Sequence, residues 1–258
     1  MLQGIVKLNI LQFSLIYILL LIVLAIMKKS KVNQTQLLIT ASIRMTVQLI
    51  LAGLILTYIF ENPHPVFVII YITAMVLFSV RRVLSKNKEL NNNFKLAVSL
   101  SLTLSGISVL IYFVYIIVGQ SVFNPQYTIP LAGMIIGNSM TGVTLALKTF
   151  TENIKSQRPK IETLLNLGST PNTILLPYVN NALETALLPT LNSMLGMGIV
   201  SLPGMMTGQI LSGTLPTTAI MYQIAIMIAI CTSVCLTVFC SLNFGYKTLY
   251  NNRNQFNF

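Results

Sequence analysis

Seven apolar runs, separated by segments that hold nearly all the cations, constrain this chain more tightly than any other feature. They cover residues 8–27, 36–60, 66–80, 94–118, 129–147, 185–202 and 219–242. A run of about 20 apolar residues matches the hydrocarbon thickness of a bilayer. Backbone amides and carbonyls find no water there, so a segment that enters must satisfy them internally, as a helix does. The expectation is an all-α membrane protein of about seven transmembrane helices. Composition agrees: 54% hydrophobic and 8% charged residues, with a mean hydropathy of +0.78, exclude a soluble globule. Run 66–80 has only 15 residues and run 36–60 contains Arg44, so each needs tilt or support from neighbouring helices.

The first run differs from a cleaved signal, whose apolar stretch is roughly 7 to 15 residues and ends at small residues. Here the run leads into Lys28, Lys29 and Lys31, which act as a stop-transfer, so it reads as a retained first helix. The cations then orient the chain. With the N-terminus outside, fourteen of the sixteen Lys and Arg fall in segments assigned to the cytoplasm; Lys7 is outside and Arg44 lies within a run. That asymmetry follows the positive-inside pattern and places the C-terminus, with Lys247 and Arg253, in the cytoplasm. The net charge of +11 does not mark a nucleic-acid partner, because apolar runs separate the cations instead of one soluble face gathering them. Cys231, Cys235 and Cys240 share one apolar run with no C-x-x-C spacing, so they form neither a disulfide framework nor a zinc site.

Segment 148–184 is longer than the other connections and has helical signals of its own. Ile161, Leu164 and Leu165 recur at i, i+3 and i+4 and share one face, with Glu162 on its flank. Gly168 sits where a helix would end, and Thr170-Pro171 reads as the cap and first residue of a second helix. Two readings stand: a hairpin resting on the membrane surface, or a docking element for a cytoplasmic protein. The chain has no G-x-x-x-x-G-K-[ST] loop, so it cannot hydrolyse ATP unaided. It has no Asp and a single His, His64 between two prolines, which reads as a turn residue and leaves little for intramembrane catalysis.

Several motifs resemble the FetB family of ABC transporter permease subunits, which is associated with iron export in bacteria and aluminium tolerance in plants. They are Ile43-Arg44-Met45-Thr46-Val47-Gln48-Leu49, Gly133-Met134-Ile135-Ile136-Gly137-Asn138-Ser139-Met140, Leu167-Gly168-Ser169-Thr170-Pro171 and Pro189-Thr190-Leu191-Asn192-Ser193-Met194, with Leu202-Pro203-Gly204-Met205-Met206-Thr207-Gly208-Gln209 the most specific. The resemblance covers nearly the whole chain. It implies one permease domain over 1–258 in the bacterial inner or plasma membrane, with a cytoplasmic coupling segment at 148–184. It further implies a homodimer of permeases with two cytoplasmic ATPase subunits; the ATPases use ATP and Mg, and this chain binds no cofactor. ABC permeases of the importer type carry an E-A-A-x-x-x-G element. Glu162 and Gly168 keep its spacing, although Thr163 and Leu164 replace both alanines. The resemblance thus favours ATPase coupling through Ile161, Glu162, Leu164, Leu165 and Gly168.

A transport path needs polar groups facing protein or water, since they are costly toward lipid. Asn138, Ser139 and Thr141 in the fifth run, and Asn192, Ser193 and Met194 in the sixth, are the candidates. The competing reading is that they bond helix to helix, aided by close approach at Gly133 and Gly137. Met140, Met194, Met197, Met205 and Met206 are soft donors but ordinary core fillers, so no ligand set selects one metal. Residues 205–213 are apolar enough to re-enter the membrane or form a short helix over the path. Arg44, roughly 12 Å deep at 1.5 Å per residue, needs a partner, and Glu184 is the acidic residue nearest membrane level on that side. The function expected is ATP-driven movement of a metal ion, iron exported above all. An ATP-independent channel or secondary carrier is the alternative, and a purely structural subunit would need no polar residues in these runs.

Overall fold

A computed structural model describes residues 9–250; Lys7 and Arg253 lie outside the described residues. The described chain runs through α1 (Ile10–Lys29), α2 (Thr35–Glu61), α3 (Pro65–Lys86), α4 (Asn92–Tyr112), α5 (Pro125–Ser156), α6 (Arg158–Asn166), α7 (Pro171–Gly196), α8 (Gly204–Leu211) and α9 (Pro216–Gly245). A π-helical turn, Phe113–Ile117, extends α4, and a 3-10 turn, Tyr246–Thr248, follows α9. No strand forms among the described residues, so the chain is the all-α membrane protein its hydropathy implies. Among the described residues, six helices are long and apolar enough to cross a membrane: α1, α2, α3, α4 with its π turn, α5 and α9. The predicted run 185–202 falls on the second half of α7 and the turn after it. The 26 residues of α7 have the length, but Asn180, Asn181, Glu184 and Asn192 dilute its apolar character.

Helices overrun the apolar runs that predict them. His64 caps α3, its Nδ1 accepting from the Val66 amide at 3.3 Å, and Pro65 supplies the first helical residue. From there α3 continues through Arg81 and Arg82 to Lys86, so the run that seemed short is a 22-residue helix. Likewise α5 passes Leu147 and continues to Ser156, 32 residues in all. Segment 148–184 comprises the end of α5, the short α6 and the first half of α7.

The chain divides into two compact units. The first comprises Met1–Pro63 with Gly208–Thr214 and holds α1, α2 and the last turn of α8. Within it the Tyr17 hydroxyl meets Thr46 Oγ1 at 2.7 Å, while the apolar side chains of both helices stay largely exposed, as lipid-facing surfaces do. The second unit, His64–Thr207 with Leu215–Phe258, contains the core. At its centre α5 buries Ile135, Ile136, Leu147 and Phe150 among Phe94, Leu102 and Leu110 of α4 and Ile226, Val234, Val238 and Leu242 of α9.

Hydrocarbon does not drive apolar helices together, so close van der Waals approach must. Two glycines make room for it. A Cβ at Gly142 would stand 2.7 Å from Val234 Cγ1, and one at Gly245 would run into the Phe94 ring. By contrast, a Cβ at Gly137 would meet nothing within 4 Å, so the intimate contact lies one turn beyond the G-x-x-x-G. Asn91 closes one end: its Oδ1 caps α4 through the Phe94 amide at 2.7 Å, and its Nδ2 donates to the Thr248 carbonyl at 2.7 Å.

Gly142→Ala is expected to lower stability in detergent by about 1–3 kcal/mol through overpacking, and Val234→Ala to recover part of that loss. Gly137→Ala should be neutral or stabilising. Thermal unfolding of these variants checks this, and equal effects at both glycines would contradict the packing described.

Candidate functional site

The polar residues of the fifth and sixth runs meet, in part, at a small cleft inside the second unit. Its volume is about 140 Å³. Asn138, Thr141, Gly142 and Leu145 of α5 form one wall, Ala186, Pro189, Thr190 and Ser193 of α7 another, and Met227 and Ile230 of α9 the third. The α7 residues repeat at i, i+3, i+4 and i+7, one face of a helix. Asn138 donates through Nδ2 to the Met134 carbonyl at 2.7 Å, leaving its Oδ1 able to accept or coordinate. The Thr141 hydroxyl donates to the Gly137 carbonyl at 3.1 Å and keeps its lone pairs. Pro189 lies inside α7 and lacks an amide proton, so the turn before it loses one backbone bond beside this cleft.

Of the six predicted path residues, the cleft thus unites Asn138, Thr141 and Ser193. Ser139 lies elsewhere: fully buried, it shares a 2.8 Å hydrogen bond with Ser233 that ties α5 to α9. Asn192 and Met194 are exposed on α7 outside the cleft lining. Arg44 is exposed on α2 and Glu184 on α7. Met197 Sδ accepts from the buried Gln223 Nε2 at 3.7 Å, a packing role, and Met206 is buried. The three cysteines are free thiols, and no group of three or more His, Cys or Glu side chains is placed to hold a metal among the described residues. Residues 204–211 form the short helix α8.

Gly142, Pro189, Thr190 and Met227 line the cleft but are not among the path residues expected from the sequence. The proline was the available signal, because an interior Pro marks a break in a membrane helix.

The coupling residues also have a defined place. α6 has nine residues and ends in a Schellman motif: the Gly168 amide donates to the Leu165 carbonyl at 3.0 Å, the Ser169 amide to Leu164 at 3.1 Å. Gly168 has φ +85°, so the predicted helix stop stands where only glycine is comfortable. Thr170 caps α7 through the Thr173 amide at 3.5 Å. The apolar ridge, however, faces inward. Ile161 is 2% exposed, and Leu164 and Leu165 are half-buried against the same core. The outward face carries Glu162, paired to Arg158 Nε at 2.8 Å, with Thr163 and a Leu167 that is 76% exposed. Beside α6, the Tyr250 hydroxyl donates to Asn172 Oδ1 at 2.9 Å, and burial, with Tyr246 next to it, pushes the Tyr250 phenol above its usual range.

Comparison with known proteins adds the remaining finding. The profile of a family described as "Uncharacterised protein family (UPF0014)" matches residues 10–250. The UPF0014 membrane protein YjkA of Bacillus subtilis is 31% identical over 250 residues, spanning 95% of this chain and 97% of the relative. The "Probable iron export permease protein FetB" of Escherichia coli is 30% identical over 250 residues, 96% and 95% of the two chains. "Protein ALUMINUM SENSITIVE 3" of Arabidopsis thaliana is 35% identical over 184 residues, 71% and 66%. No solved structure matches the chain.

The geometry separates path from scaffold among neighbours in sequence. With Cys231, Cys235 and Cys240 replaced, single cysteines at 138, 141 and 193 are expected to react with a small aqueous thiol reagent, while one at 139 stays protected. Reaction at 139 equal to that at 138 would contradict the cleft assignment.

Proposed function

The chain belongs to the UPF0014 family of membrane proteins, and from that premise we propose that it is the permease subunit of an ATP-driven exporter of a small metal ion, with iron as the cargo. The observation that carries this reading is the cleft among α5, α7 and α9. Its volume of about 140 Å³ gives room for several waters or for one ion with part of its shell. Its donors are the Asn138 amide oxygen, the hydroxyls of Thr141, Thr190 and Ser193, and the Met227 thioether. They are neutral and individually weak. A transport site needs that weakness, because an ion held by a full carboxylate or thiolate cage would bind and not leave. The iron assignment rests on the similarity to the probable iron export permease of E. coli.

Energy must come from a partner, since the chain has no phosphate-binding loop. A cytoplasmic ABC ATPase using ATP and Mg would dock on α6, and two permeases would join two ATPases. The inward ridge supports a division of labour within α6: Ile161, Leu164 and Leu165 fasten it to the core of its own unit, and its outer flank meets the partner. A helix so fastened moves as a rigid body with α5 and α7, which carry two walls of the cleft. Push on α6, and the cleft changes.

Replacing Leu167 with Asp and Glu162 with Lys should abolish co-purification with the ATPase and leave thermal unfolding of the permease unchanged. Leu164→Asp should instead destabilise the permease by several kcal/mol, by burying a charge. A complex that survives the outer-face change would contradict docking through α6.

A further inference from the structure

A second cleft in the same unit plays no part in transport as read above. It lies between the end of α3 with the turn that follows and the stripe of α5 from Thr144 to Lys155, and its volume is about 560 Å³. Four lysines line it, Lys86 at the end of α3, Lys88 in the turn that follows, and Lys148 and Lys155 from α5. Two carboxylates face them, and both are engaged. Glu152 stands 3.8 Å from Lys148 Nζ, and Glu89 pairs with Lys155. Lys86 and Lys88 therefore bring uncompensated positive charge, with no carboxylate partner among the described residues.

An independent feature points the same way. Thr151 lines the cleft, yet its Oγ1 is shielded from water and has no hydrogen-bond partner. Buried hydroxyls are nearly always satisfied, and one left open beside a cationic cleft lacks an acceptor. Depth narrows the choice of ligand. The apolar run of α5 ends at Leu147, and the cleft extends from Thr144, one turn inside that limit, to Lys155 beyond it. It thus straddles the boundary between hydrocarbon and headgroups. On the face that the charge distribution makes cytoplasmic, that is the level of lipid phosphodiesters. Its volume is many times the ~30 Å³ of a water, enough for a glycerophosphate group.

We propose that this cleft binds the phosphate of an anionic phospholipid, with Lys86 and Lys88 supplying charge and the Thr151 side chain turning from its shielded, unpartnered position so that its hydroxyl donates to a phosphate oxygen. Bound there, the lipid clamps the end of α3 to α5. Free phosphate shares the chemistry but not the position at the hydrocarbon boundary.

The test uses the full-length protein in detergent, with binding of phosphatidylglycerol and phosphatidylcholine measured by native mass spectrometry. Wild type is expected to retain phosphatidylglycerol selectively. Each lysine near an anionic surface contributes about fivefold in affinity, so Lys86→Gln with Lys88→Gln should weaken binding tenfold or more, and the matching Arg pair should not. Thr151→Val should weaken it several-fold at unchanged charge, which keeps the test open should the double variant fold poorly. Equal phosphatidylglycerol retention by wild type, the Gln pair and Thr151→Val overturns the proposal. So does displacement of the lipid by equimolar inorganic phosphate, which would mark a free-anion site. A Gln pair that keeps its lipid but loses a cytoplasmic protein partner would assign the cleft to that partner instead.

Discussion

In hydrocarbon an apolar side chain gains nothing by leaving lipid for another helix, so the second unit depends on how closely α5 and α9 can approach. Gly142 against Val234, together with the buried Ser139–Ser233 hydrogen bond, supplies that approach on one side of α5. Gly245 against the Phe94 ring draws α4 and α9 together as well. With α5 held this way, its neighbouring face at Asn138 and Thr141 is left to meet α7 less tightly. There the interior Pro189 denies α7 one backbone bond, and a cleft of about 140 Å³ remains. Gly142 thus packs tightly against α9 and also lines the cleft.

The cleft becomes useful because its walls have handles. α5 runs on past its apolar run to Ser156, α7 begins at Pro171, and α6 bridges their ends in nine residues. The Schellman stop at Gly168 and the cap at Thr170 fix that bridge at both junctions. Ile161 then locks it to the core. In the coupling proposed above, a short capped helix would transmit a partner's push that a structureless connector would absorb.

Much of this was legible in the sequence. Apolar runs gave the helices, because the bilayer admits little else, and the motif Leu202 to Gln209 gave the family, whose profile matches residues 10–250. Helix ends were less legible. Hydropathy stops at the first charge while a helix does not, so α3 and α5 overran their predicted limits through Arg81, Arg82 and Lys148. Periodicity found the ridge Ile161, Leu164 and Leu165 but not which way it faces, since an inward anchor and an outward docking face have the same spacing. The same limit applied to Ser139 and Asn138, adjacent in sequence and roughly 100° apart on the helix, one a buried tie and the other a cleft wall.

The central claim is that ATP hydrolysed by a partner drives a metal ion through the α5–α7–α9 cleft. The most direct measurement is iron uptake into inside-out proteoliposomes containing the permease and its ATPase, with wild type compared to a Thr190→Val, Ser193→Ala double variant. The account predicts uptake against a gradient that requires ATP and Mg, lost in the double variant while the permease–ATPase complex stays intact. Iron flux that ignores ATP and only follows its gradient, or that is unchanged in the double variant, would contradict it.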